Sequence, residues 1–166
     1  MKFLSLLVLV FAGYYLDGYR LFSEDHVRQY LVDMNMNTFQ GNTETVCGLF
    51  ADDVEVSIND RSPQGRWEVE GGKEEVCGYI KQSAAGFMTM GARVNTAWDD
   101  VVIHRAGFPW RTAEITYQQK TQITANGRMP IPPMTAISDD TMILKRTLGG
   151  LKIAKFQADS ETTVGE

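Results

Sequence analysis

The sequence predicts an α+β domain in which helical segments come first and long antiparallel strands follow. Three observations carry the prediction. Between Glu44 and Phe87, a short helix-like run from Thr45 to Phe50 passes through Ala51-Asp52-Asp53 into a strand alternating Val54, Val56 and Ile58 with Glu55, Ser57 and Asn59; a further helix opens after Gly71-Gly72. The stretches Arg93 to His104 and Arg111 to Thr124 alternate as half-buried strands do. Asn126-Gly127 is a strong hairpin signal, and Gly149-Gly150 supplies another turn.

The chain opens with a positive charge at Lys2 and an apolar run from Phe3 to Leu16, which ends at Asp17. That is the shape of an export signal, and it falls short of the roughly 20 apolar residues a bilayer-spanning helix needs. Val10-Phe11-Ala12 is a poor cleavage site. Residues 1–22 are read as a signal peptide or an uncleaved N-terminal membrane anchor. Either places the domain outside the cytoplasm, in the periplasm of a bacterium. The structural alternative is an apolar helix packed on the domain itself.

Ser23 is an N-cap, with Glu24 and Asp25 in the first turn where the helix dipole favours acids. Val27, Tyr30, Leu31, Met34 and Phe39 approximate helical spacing, and Gly41 suits the left-handed position after the helix. Thr43 restarts a short helix. Asp60 to Gly65 is turn chemistry leading to a strand at Arg66–Glu70, and the next helix is expected to run to about Ala85. The prolines within Met129–Pro133 restrict that segment to an edge or a bulged crossing. Strands at Thr135–Arg146 and Leu151–Ala158 complete the sheet. The domain is placed at residues 23–160, and residues 161–166 are expected to form a polar, frayed tail.

At 166 residues the chain suits one domain with a substantial core. A net charge of -5 and a pI near 5.1 argue against a nucleic-acid partner, whose phosphates require clustered Lys and Arg. Cys47 and Cys77 sit in similar contexts, Glu44 to Phe50 and Glu74 to Ile80. Two readings stand: a disulfide contributing roughly 3 kcal/mol by loop entropy, or two half-buried thiols. His26 and His104 have no partner at a metal-ligand spacing, and no glycine-rich phosphate loop is present, so neither metal nor cofactor is expected.

From about Asp25 to Asp159 the chain resembles the SnoaL-like and ketosteroid-isomerase-like branches of the nuclear transport factor 2-like superfamily. The resemblance rests on Gln40-Gly41-Asn42, on Leu49 to Val56 and on Gly150 to Phe156. It implies a cone: a curved antiparallel sheet, of cystatin-like roll type, wrapped around three helices so that a hollow remains. It does not imply one activity, because the superfamily includes isomerases, dehydratases, hydrolases, cyclases and proteins without chemistry. The isomerase general base falls on Ile58 and the oxyanion-hole tyrosine on Met34, and neither side chain can play that role. The neutral aspartic acid of the isomerases falls near Asp139, Asp140 and Thr141. A homodimer is expected by family habit, with Glu114, Thr116, Gln118, Lys120 and Gln122 forming a polar outer face.

Candidate catalytic residues are Tyr30, one turn before Met34; His104, whose pKa lies near neutrality; Asp100, which shares its alternation; and Asp60. Met34, Trp67, Trp98, Tyr117 and Met142 are candidate pocket walls. Asp52 and Asp53 read as the polar junction between helix and strand. Two functions follow. One is a module that binds a small apolar ligand or a protein partner. The other is a SnoaL-like enzyme performing acid/base chemistry on a small apolar substrate.

Overall fold

A computed structural model describes residues 2–63, 65–125 and 132–165, with side chains from Leu9 onward. In chain order the elements are α1 (Lys2–Leu21), α2 (Glu24–Phe39), α3 (Thr43–Cys47), β1 (Phe50–Ser62), β2 (Gly65–Gly71), α4 (Lys73–Met90), β3 (Ala92–Ala106), β4 (Thr112–Ala125), β5 (Met134–Thr147) and β6 (Gly150–Val164). The six strands form one sheet in the order β2-β1-β6-β5-β4-β3. Helices α2, α3 and α4 cover its inner face. The Asn126-Gly127 turn and the residues Met129 to Ile131 lie outside the described residues.

Local signals set the helix ends. The Ser23 hydroxyl accepts from the His26 amide at 3.4 Å, and Gly41 holds the left-handed conformation at φ 77°. The Glu75 carboxylate caps α4 by accepting from the Gly72 amide at 2.8 Å. Helix α4 runs past Ala85 and stops at Gly91, φ 57°, because Gly86 is tolerated inside a packed helix. The short helix ends at Cys47, so Phe50 already belongs to β1.

The sheet is antiparallel at every junction except one. Strands β1 and β6 pair in parallel, Val56 with Phe156 and Ile58 with Ala158. Strand β1 leaves through the β2 hairpin and α4, and the β3-to-β6 meander brings the last strand back beside it in the same direction. Curvature comes from irregularities in the pairing between Phe50 and Glu55, between Asp99 and Val102, and between Ile143 and Leu144. Strand β6 continues to Val164, which pairs with Met134, so residues 161–164 are ladder and not the expected frayed tail. Their donors and acceptors have β5 to bind, which a polar composition does not reveal.

The core joins Phe22, between α1 and α2, and Val27 and Leu31 of α2 to Val54, Val56, Ile115, Met142, Leu144 and Ile153 of the sheet. On β4, Ala113, Ile115, Tyr117, Thr121 and Ile123 are buried, while Glu114, Gln118, Lys120 and Gln122 face outward as the alternation predicts.

Helix α1 is clasped to this body by its second half. The Arg146 guanidinium pairs with Asp17, donates to the Tyr14 carbonyl and lies 3.9 Å from the Tyr14 ring centroid. Arg105 donates to the Phe22 carbonyl at 2.7 Å and covers the Tyr19 ring. Leu9, Val10, Phe11 and Leu16 are exposed. No helix among the described residues is long and apolar enough to cross a membrane.

Candidate ligand pocket

Strand register places four cross-sheet rows of side chains, one above another, along the inner face. At the base lie Val56, Phe156, Met142, Ile115 and Ile103 from β1, β6, β5, β4 and β3. The second row is Ile58, Ala158, Asp140 and Tyr117; the third is Asp60, Ser160, Ser138, Gln119 and Trp98; the fourth is Thr162, Ala136, Thr121 and Thr96. The face therefore turns from apolar to polar with distance from the base row. Opposite it, α4 presents Val76, Tyr79, Ile80, Ser83 and Phe87 at helical spacing, and α2 presents Met34, Asn35, Thr38 and Phe39. These walls enclose a cavity of about 300 Å³, the lower end of the range for small-molecule sites.

Two carboxyls enter this cavity from the sheet. Asp60, half-buried on β1, accepts from the Ser160 hydroxyl at 2.8 Å. Asp140 on β5 is 6% exposed and accepts from the Ser138 hydroxyl. Burial pushes the Asp140 carboxyl up from 3.8 to about 6, even though hydrogen bonds from Ser138 and Tyr117 pull the other way. Tyr117 is its cross-strand partner and is 4% exposed. Burial, the adjacent Asp140 charge and a hydrogen-bond interaction with that carboxylate raise the Tyr117 pKa well above the usual phenol value, although the contact falls outside strict hydrogen-bond geometry. Tyr79 is raised in the same sense by burial, then by Asp60, with a smaller push from Asp140, so it faces both acids. Gln119 is held by donors from the Trp98 indole at 3.2 Å and the Asn35 amide at 3.5 Å.

Of the residues picked from sequence, Met34, Asp60 and Tyr117 line the cavity. Trp98 stands behind Gln119 and positions it. The Tyr30 hydroxyl is buried without a hydrogen-bond partner among the described residues, and burial raises its pKa, but its side chain packs against the core beside the cavity instead of lining it. Met142 is fully buried in the base row and is core. Trp67 is 54% exposed on β2, an edge strand that no helix covers at that point.

His104 and Asp100, expected at the site, both lie off the cavity for one reason. Ala92 to Asp99 pair with β4 in one register, and from Val102 onward β3 has gained one residue relative to its partner. Asp100, at φ 52°, sits in this bulge and is exposed. The extra residue inverts the alternation. Val101 and Ile103 thus turn inward, while Val102 and His104 turn out, His104 opposite Glu114. His104→Ala is accordingly expected to change stability by less than about 0.5 kcal/mol and to leave ligand affinity unaltered. Loss of affinity in that variant, measured by calorimetry, would contradict the placement.

The sequence reading did not select Asp140, Ser138, Gln119 or Tyr79 as site residues. A signal was present for the first two: Ser138 and Asp140 share the phase of Met142 and Leu144, so a carboxyl stands in line with core residues. Ile58 and Met34, which occupy the isomerase base and tyrosine positions by resemblance, both face the cavity and are both apolar.

No family model matches the sequence, and no curated protein matches it. Solved structures do. A type 2 hexachlorocyclohexane dehydrochlorinase (LinA) superposes with a TM-score of 0.64 at 12% identity, covering 90% of this chain and 93% of that one. ActVI-ORFA from Streptomyces coelicolor gives 0.59 at 11% identity, covering 81% and 93%. An NTF2-like protein with a cystatin-like fold from Novosphingobium aromaticivorans gives 0.57 at 13% identity, covering 81% and 79%. Identities this low speak to architecture alone, and on that architecture the chain has the nuclear transport factor 2-like, cystatin-like fold.

Proposed function

We propose that this chain is a small-molecule-binding domain whose ligand occupies the hollow between the sheet and helices α2, α3 and α4. The observation that carries the proposal is the cavity of about 300 Å³ whose sheet face passes from an apolar base row to polar rows. Native mass spectrometry of the protein isolated from its own cells is expected to find a retained small molecule. Ala158→Phe, which fills the second row of the cavity wall, is expected to remove it. An unchanged adduct in that variant would place the molecule elsewhere and overturn the proposal.

A second reading, acid/base catalysis, is favoured by Asp140, a buried carboxyl with a pKa near 6 that faces the buried Tyr117 hydroxyl. Such a group exchanges protons near neutrality and matches the demand on a general base. The reading lacks the histidine on which the sequence-based version leaned. A turnover rate that rises through pH 6 and disappears in Asp140→Asn would support it.

We further propose that the domain works outside the cytoplasm and that α1 serves as export signal or surface anchor. The apolar run, the exposed Leu9, Val10 and Phe11, and the Cys47–Cys77 bridge support this, because structural disulfides persist in oxidising compartments. The mature mass is expected to retain Tyr14 to Phe22, which the Arg146 and Arg105 contacts tie to the body. A second copy pairing across the polar outer face is the assembly to look for by light scattering.

A further inference from the structure

The charge on the cavity wall narrows the ligand class. Among the described lining residues there are two carboxyls, Asp60 and Asp140, and no Lys, Arg or His. The seven ion pairs of the described residues all use other acids. The donors that reach them are hydroxyls, Ser160 for Asp60 and Ser138 with the adjacent Tyr117 for Asp140. A carboxylate taken out of water without a counter-charge is costly. The upward displacement of Asp140 is the behaviour expected of such a group. By register, Asp60 and Ser138 stand in one row two strands apart, about 10 Å at the usual strand spacing. Asp140 is one row deeper, and Tyr79 reaches over both acids from α4.

A second observation points the same way. The Tyr117 hydroxyl is buried, lines the cavity and points its proton toward the Asp140 carboxylate, outside strict hydrogen-bond geometry. Its oxygen receives no donor among the described residues. The remaining walls add Phe39, Phe50, Tyr79, Phe87 and Phe156. Aromatic faces carry the negative end of the ring quadrupole and attract cations, most strongly where water is excluded. Two unneutralised acids inside an aromatic cage repel carboxylates and phosphates.

We propose that the cavity selects a small apolar cation, an aryl- or alkylammonium ion, whose charge sits at the Asp60 and Asp140 end of the sheet face while its apolar body fills the base. The proposal rests on the ligand-pocket reading above and specifies its ligand class.

Three probes of similar size test it by titration calorimetry on the full chain: phenyltrimethylammonium, its neutral isostere tert-butylbenzene, and the anion benzoate. The ammonium ion is expected to bind at least about ten-fold more tightly than the isostere, as expected of a desolvated cation–π contact with added charge pairing. Benzoate is expected not to bind. Asp60→Asn alone, at a half-exposed position, is expected to reduce the preference, and Asp60→Asn with Asp140→Asn to abolish it while tert-butylbenzene binding is kept, which also reports an intact pocket. Equal or tighter binding of the isostere to the unaltered protein overturns the cation assignment and leaves the pocket reading standing. Failure of all three probes to bind overturns both.

Discussion

Asp140→Asn is expected to make the protein more stable at pH 7, by up to about 3 kcal/mol. The displacement of the carboxyl from 3.8 to about 6 has that free-energy equivalent. At 6% exposure it needs little discount for solvent screening. The folded protein binds the Asp140 proton more tightly than the unfolded chain does. Stability from this group is therefore present below about pH 3.8, falls as pH rises through about 6, and is absent above it. Asparagine cannot ionise, and its amide oxygen can still accept from Ser138. The two proteins should thus differ little near pH 4 and diverge up to pH 7, measured as urea midpoints across that range. A variant less stable than the parent at pH 7 would mean that the carboxylate has a stabilising partner, contrary to the placement described.

The same substitution separates stability from function. A position whose native residue is less stable than a near-isostere reads as one kept for what its charge does. Nothing in the core requires a charge there: its neighbours in the row are Ala158, which is apolar, and Tyr117, whose hydroxyl an amide oxygen at this position can still accept from. If Asp140→Asn gains stability and loses affinity for a cationic ligand, both expectations arise from one unpaired negative charge.

Much of this was legible before any coordinates, because it depended on local chemistry. Ser23, Gly41 and the Gly71-Gly72 pair mark helix ends by capping and backbone freedom, and β4 announced both faces through strict alternation. What failed was non-local. His104 was assigned inward by counting in twos along β3, and one bulged residue at Asp99–Val102 inverted the count. The positive φ of Asp100 is tolerated by an aspartate but not demanded by it. The parallel pairing of β1 with β6, which brings Asp60 and Ser160 together, joins segments about one hundred residues apart and leaves no trace in either. Asp140 was readable in principle, since its phase with Met142 is local, but a charged side chain argues for the outer face until a cavity is known to lie beneath it.

A large loss of stability is expected from opening the Cys47–Cys77 bridge beside the pocket. The two Cα atoms lie 5.5 Å apart, and the bridge closes a loop with a sequence separation of 30. Loop entropy of that length corresponds to about 3 to 4 kcal/mol. Helix α3 has five residues, too few to persist alone. It is held by Val46 in the core, by the exposed Glu44–Lys81 ion pair and by this link to α4. Val46 and Val76, the residues preceding the two cysteines, both line the cavity. Cys47→Ser with Cys77→Ser should therefore lower the urea midpoint by an amount matching that estimate and weaken ligand binding, because α3 loses its fixed distance from α4. Reductant should reproduce the effect on the parent protein and do nothing to the double variant. A double variant that matches the parent in midpoint would mean that packing around Val46 alone holds α3, and the bridge would then be a consequence of the fold rather than a support of its pocket.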